Sequence, residues 1–166
     1  MEYAIVYSSR TGNTQMLAEA LHAALPLQNC RYFGSPAPQA GTAARVYVGF
    51  WTDRGDCDAE TAAFLQTLHG KEVFLFGTAG FGGTQDYYDD VLHRAAQHLP
   101  PDARLIGQFM CQGKMPPAVR ARYQAMAADP AHAAQAAVML ENFDRALGHP
   151  DAGDAARLCA AAAAAK

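Results

Sequence analysis

The stretch Ser8-Ser9-Arg10-Thr11-Gly12-Asn13-Thr14 sets four hydroxyl side chains, an amide and a glycine between an apolar run and an amphipathic one. At a helix start the backbone N–H groups lack intrahelical acceptors, and the dipole favours an anion. Hydroxyls beside such a turn add hydrogen bonds to phosphate oxygens. A plain Thr/Asn-capped helix start has the same composition, and the stretch alone leaves both readings open. It contains neither GxGxxG nor GxxxxGK[ST], which removes the dinucleotide-fold and P-loop routes to phosphate. A second stretch, Gly77-Thr78-Ala79-Gly80-Phe81-Gly82-Gly83-Thr84, has four glycines in eight residues. Glycines let backbone N–H and C=O groups come close to the edge of a flat ligand, with Phe81 placed to cover a face. A third, Phe50-Trp51-Thr52-Asp53-Arg54-Gly55, carries the only tryptophan, a large π surface. A weaker fourth, Cys111-Gln112-Gly113-Lys114-Met115, reads as a turn on the same rim.

These stretches have to be held by something regular, and each follows a short, continuous apolar run. Residues 3–8, 46–50, 72–76 and 105–111 read as buried strands, and 29–33 as a short edge strand. Between them lie helical patterns. Leu17, Leu21 and Leu25 share one face, stopped by Pro26. Ala62, Leu65 and Leu68 share another, with Asp56 or Asp58 as cap and Gly70 as stop. Tyr88, Val91, Leu92, Ala95 and Leu99 form a third, capped by Thr84 or Asp86 and closed by Pro100-Pro101. Pro116-Pro117 opens a helix with Val119, Tyr123 and Met126. A last one, with Ala136, Leu140, Phe143 and Leu147, runs to about Gly148. The segment from Gly34 to Ala44, rich in proline and glycine, is a weak crossover. Alternation of this kind predicts an α/β three-layer sandwich, a parallel sheet with helices on both faces. Ligands of such sheets bind beyond the carboxyl ends of the strands, where the glycine- and hydroxyl-rich stretches lie. The expected domain is residues 1–150, followed by an Ala-rich tail at 151–166.

Composition narrows the function. The 166 residues suit one domain, and the net charge of −3 gives no reason to expect a nucleic-acid partner. The four cysteines form no CxxC pair and the six histidines show no metal spacing, so no metal site is expected. Unpaired cysteines, a start that is no signal peptide and the lack of a membrane-length apolar run predict a cytoplasmic protein away from membranes. GxSxG, HExxH and triad spacings are absent, and no segment reads as a nicotinamide site; no catalytic residues are expected.

The run Ser9-Arg10-Thr11-Gly12-Asn13-Thr14, directly after the first strand, resembles the phosphate loop of flavodoxins: hydroxyl, any residue, hydroxyl, Gly, any residue, hydroxyl. The likeness extends through the strand and helix order to about residue 148. It implies the flavodoxin-like fold, with five parallel strands in the order 2-1-3-4-5, and flavin mononucleotide (FMN) as cofactor. It places Ser9, Arg10, Thr11, Gly12, Asn13 and Thr14 at the phosphate, and Phe50, Trp51, Thr52 and Gly55 beside the ring. Thr78, Ala79, Gly80, Phe81, Gly82 and Gly83 fall at its pyrimidine edge. One departure stands out. Thr52 follows Trp51 where several flavodoxins carry a glycine whose peptide flips toward the reduced flavin. In the family the protein tunes the cofactor and the cofactor does the chemistry. The resemblance implies an electron carrier between redox partner proteins, a reductase as donor and an acceptor enzyme. The stretches Gly-Phe-Trp-Thr-Asp, Cys-Gln-Gly-Lys-Met and His149-Pro150-Asp151 are similar to a subgroup of short bacterial flavodoxins that accompany flavin-dependent tetrapyrrole reductases. An FMN-dependent NAD(P)H or quinone reductase of the same fold, and a flavodoxin-fold binding module without flavin, are the alternatives.

Overall fold

A computed structural model describes all residues, Met1–Lys166. The chain runs β1 (Tyr3–Tyr7), α1 (Asn13–Ala24), β2 (Cys30–Gly34), β3 (Arg45–Asp53), β4 (Asp56–Cys57) and α2 (Ala59–Leu65). It continues as β5 (Glu72–Ala79), α3 (Gln85–Ala96), β6 (Arg104–Gln112), α4 (Pro117–Ala127), α5 (Ala133–Ala146) and α6 (Ala152–Ala164). The sheet order is β2-β1-β3-β5-β6, every pair parallel, with β4 attached antiparallel to the end of β3. Setting that two-residue arm aside, this is the 2-1-3-4-5 order expected from the sequence.

Strand side chains alternate between two cores, as a period of two requires. Val46, Val48 and Phe50 of β3, with Val73 and Leu75 of β5, meet Leu65, Leu68, Val91, Leu92 and Ala95 on the α2/α3 side. Tyr47, Phe74 and Phe76 point the other way, onto Leu17, Leu21, Leu158 and Ala162 of α1 and α6. Both faces are therefore covered, and the central strands are apolar throughout because neither face meets water. The crossover from β2 to β3 contains only a 3₁₀ turn at Pro38–Thr42, which seats Ala40 and Ala43 in the first core.

The caps are resolved between the alternatives. Asp58 accepts the Thr61 N–H at the start of α2, and Thr84 accepts the Tyr87 N–H at the start of α3. Asp56 instead faces His98 at 2.9 Å.

Residues 151–166 were expected to lie beyond the domain as a tail. In the structure α6 closes the α1 side of the sheet, with Leu158 fully buried. Its start is fixed by a reciprocal capping box, Asp151 with Asp154. The alanine run disguised this because a single leucine and small residues are enough to fill a shallow groove between α1 and β6. Leu147, assigned to the apolar face of α5, is exposed; the turn ends that helix at Ala146, which is buried in its place.

Candidate FMN site

The elements converge at the carboxyl ends of β1, β3, β5 and β6. The phosphate-loop stretch leaves β1 and enters α1 through Gly12, whose φ of 90° is left-handed and strains any residue with a Cβ. No side chain caps α1 at that residue. Ser9 holds the loop shape instead: its Oγ accepts the N–H groups of Gly12 and Gln15, both at 3.2 Å. With two bonds accepted, the Ser9 hydroxyl hydrogen remains to be donated elsewhere. The backbone N–H groups of Arg10, Thr11, Asn13 and Thr14 have no acceptor in the protein. Four free donors in one turn at a helix N-terminus form an anion cradle.

Asn13 and Thr14 are buried behind this cradle. The Asn13 amide donates to the Lys114 carbonyl at 2.9 Å, tying α1 to the β6–α4 loop, while its Oδ1 is buried without any donor. Thr14 Oγ1 donates to the Phe50 carbonyl at 3.2 Å. Its single hydrogen is thereby used, so Thr78 Oγ1, at 3.1 Å, donates to Thr14. The sequence placed the Thr14 hydroxyl on the phosphate; in the structure it links β3 and β5 beneath the loop.

The Trp51 stretch does not lie wholly beyond its strand. It belongs to β3, which runs on to Asp53 and turns back through Arg54 and Gly55 into β4. Both turn residues have positive φ, 51° and 80°, the pattern of a two-residue type I′ hairpin. The peptide after Trp51 is thus part of a strand, and the Thr52 hydroxyl donates to the Thr78 carbonyl at 2.8 Å. The Arg10 guanidinium lies 5.3 Å from the Trp51 ring centroid, a cation–π distance.

Together these elements enclose a cavity of about 640 Å³, a size ordinary for cofactor sites. Every residue assigned to the site from sequence lines it except Gly12, Phe50, Gly82 and Gly83. Phe50 is fully buried in the α2/α3 core and contributes only its carbonyl to the site region. Gly82 lies under Tyr87, where a Cβ would stand 2.2 Å from the ring, so the glycine serves the tyrosine and not the ligand. Gly83 faces the Gln112 side chain. Gly12 borders a smaller adjoining cavity of about 250 Å³ beside Gly148 and His149.

Several wall residues escaped the sequence reading. Met115, Pro116, Val119, Arg122 and Tyr123 form a wall from the start of α4 and the loop before it. The paired helices α4 and α5 are pinned over the rim by Asn142, which donates to the Gly80 carbonyl and accepts from Gln112, both at 2.9 Å. The Lys114 stretch had been placed on this rim; nothing local announces that a helix folds back over it. The wall carries Arg10, Arg54, Lys114 and Arg122 and no carboxylate. None of the four is ion-paired; outside the wall Arg31, Arg45, Arg104, Arg120 and Arg157 are paired, and Arg94, Arg145, Lys71 and Lys166 are not.

Burial pushes the Cys57 thiol up to about 12 and raises that of Cys111 further, so both stay protonated at neutral pH. Two clusters bring metal-type side chains together, Asp56/Cys57/His98 and His149/Asp151/Asp154. Each is already hydrogen-bonded internally, His98 to Asp56 and His149 to Asp154. No helix is long and apolar enough to cross a membrane.

A doubly wound parallel sheet with an anion cradle after its first strand, an aromatic residue near the end of its third and a glycine-rich turn beyond its fifth defines a flavodoxin-type α/β protein. Comparison with known proteins agrees. A family model described as the flavodoxin domain matches residues 4–163. A flavodoxin-like domain-containing protein BilS of Clostridium symbiosum is 44% identical over 94% of this chain and 91% of its own. A BilS of Clostridioides difficile is 28% identical over 91% and 88%. Among solved structures, a Lactobacillus acidophilus flavoprotein in complex with FMN superposes with a TM-score of 0.52, at 12% identity, covering 66% of this chain and 93% of that one. Oxidised flavodoxin 2 of Bacillus cereus gives 0.50 at 16% identity, over 87% and 99%. The chain belongs to the flavodoxin family.

Proposed function

We propose that this protein binds FMN and shuttles electrons between redox proteins. The observation that carries the reading is the cradle of free N–H groups at Arg10, Thr11, Asn13 and Thr14, set in one cavity with Trp51 and the Gly80-Phe81 turn. These residues fit a flat ligand with a phosphate on a polyhydroxyl tether. The loop and the hydroxyls of Ser9 and Thr11 bind the phosphate. Trp51 and the turn after β5 orient the ring and exclude water from it. The flavin supplies one- and two-electron chemistry when bound. The partners on this reading are a reductase as donor and an acceptor enzyme, with a flavin-dependent tetrapyrrole reductase as the acceptor that the subgroup resemblance suggests.

A second reading, an FMN-dependent NAD(P)H or quinone reductase, draws on the α4 wall, which gives the cavity a side that the strand-end loops alone do not build. Steady-state NADH and NADPH oxidation by the FMN-loaded protein with a quinone acceptor separates the two. The carrier reading expects negligible turnover alone and rapid reoxidation by a protein acceptor. Turnover at roughly ten per second, ordinary for an enzyme, replaces the carrier with the reductase.

A further inference from the structure

We infer that the mouth of the flavin cavity docks an acidic protein surface, although the chain as a whole is acidic. The inference rests on the electron-carrier reading and names the kind of partner that reading requires. The protein carries a formal charge of −3, yet the cavity wall carries four cations and no carboxylate. All four are exposed and none is ion-paired. They come from four separate segments: Arg10 from the phosphate loop, Arg54 from the β3–β4 hairpin, Lys114 from the loop after β6 and Arg122 from α4. Positive charge therefore surrounds the opening from several sides.

The cofactor does not use up this charge. A phosphate monoester brings about −1.5 to −2 at neutral pH, and the free N–H groups of the cradle already face it. Roughly two positive charges remain for a second anionic partner. Local structure gives no reason for Arg54 in particular: the first central position of a type I′ hairpin favours Asn, Asp or Gly, and Arg54 sits there at a φ of 51°. No acid lines the cavity itself. Asp53 and Asp86 adjoin wall residues in sequence but do not line the wall, Asp56 faces His98, and Asp58 is buried as a cap. At physiological ionic strength charges farther than about 8 Å are screened, so an approaching partner meets the mouth and not the net charge. Electron transfer needs the partner at this mouth, where the cavity opens, so carboxylates around the partner's own cofactor are the complement.

The test uses the FMN-loaded protein, reduced anaerobically, with two forms of one acceptor: cytochrome c with its lysines intact, and cytochrome c succinylated to an acidic surface. At physiological ionic strength the succinylated form should be reduced about tenfold faster, the advantage fading as salt rises toward about 1 M. Arg54→Gln combined with Arg122→Gln should abolish the difference. Lys71→Gln combined with Lys166→Gln, the same charge change at the opposite end of the sheet, should preserve it. Ferricyanide, a small anion, serves as the third acceptor. Faster reduction of the native form overturns the proposal. So does a salt-sensitive ferricyanide reaction with no preference between the cytochromes, which assigns the mouth to small anions. A protein that takes up no FMN overturns the carrier reading as well, so the two failures are distinguishable.

Discussion

Thr11 and Thr14 occupy equivalent places in the family pattern but differ in what their hydroxyls touch. Thr14 is buried, and its hydroxyl is committed to the Phe50 carbonyl and Thr78. Thr11 is exposed on the cavity wall. A double substitution would therefore mix two effects that the single ones separate. Thr14→Val keeps the shape but leaves the buried Thr78 hydroxyl without its acceptor, which costs about 1–3 kcal/mol. It should appear as a lower midpoint in urea unfolding of the apoprotein. Thr11→Ala should leave that midpoint unchanged and weaken FMN relative to riboflavin by about 1.5–3 kcal/mol, the worth of a hydrogen bond to a charged group. Titrations of both flavins against both variants check the pair; equal loss of FMN and riboflavin affinity in Thr11→Ala would remove Thr11 from the phosphate. The motif showed that this loop matters, but which hydroxyl points outward depends on β3 and β5 lying beneath it.

At the scale of elements, legibility followed how local the cause is. The strands were visible because burial on both faces writes a continuous apolar run. The α4 wall was not, because its placement depends on Asn142 reaching Gly80 and Gln112 across the rim. Helix α6 was misjudged because Leu158 is the only large apolar residue in its alanine run. Leu158→Ala should cost about 2–5 kcal/mol, as for other fully buried leucines, read as a shift of the denaturant midpoint. A loss under ~0.5 kcal/mol, typical of surface changes, would return α6 to the status of a tail. The far end of the sheet has its own staple: Glu72 on β5 accepts from Arg45 of β3 at 2.8 Å and from Arg104 of β6. The hydrogen bond from Arg45, opposed by desolvation and helped by Arg104, holds the Glu72 carboxyl below its ordinary value of 4.5. A carboxyl lowered on folding adds stability above its unfolded value, and that stability is lost as pH falls through the folded value. Glu72→Gln should therefore melt lower than the unaltered protein at neutral pH, with the gap closing well below pH 4.5. A gap independent of pH would mean that the staple acts by packing alone.

For the whole molecule, the site is assembled from segments scattered along the chain, from Ser9 to Tyr123. The site also gathers four unpaired cations in one place. Filling it should consequently stabilise the entire fold and not one loop. A ligand at 100 times its dissociation constant adds about 2.7 kcal/mol. For a chain of this length each kcal/mol moves the midpoint by roughly 2–4 °C, so saturating FMN should raise the melting temperature by about 5–10 °C. The phosphate part of that gain depends on charge and on the cradle. Riboflavin at the same concentration should give a clearly smaller shift, and added salt should erode the FMN shift more than the riboflavin one. Thermal melts of the apoprotein with each flavin, at low and high salt, measure all four values. Equal shifts with FMN and riboflavin would show that the ring alone is recognised, and the turn from Ser9 to Thr14 would then be an ordinary helix start.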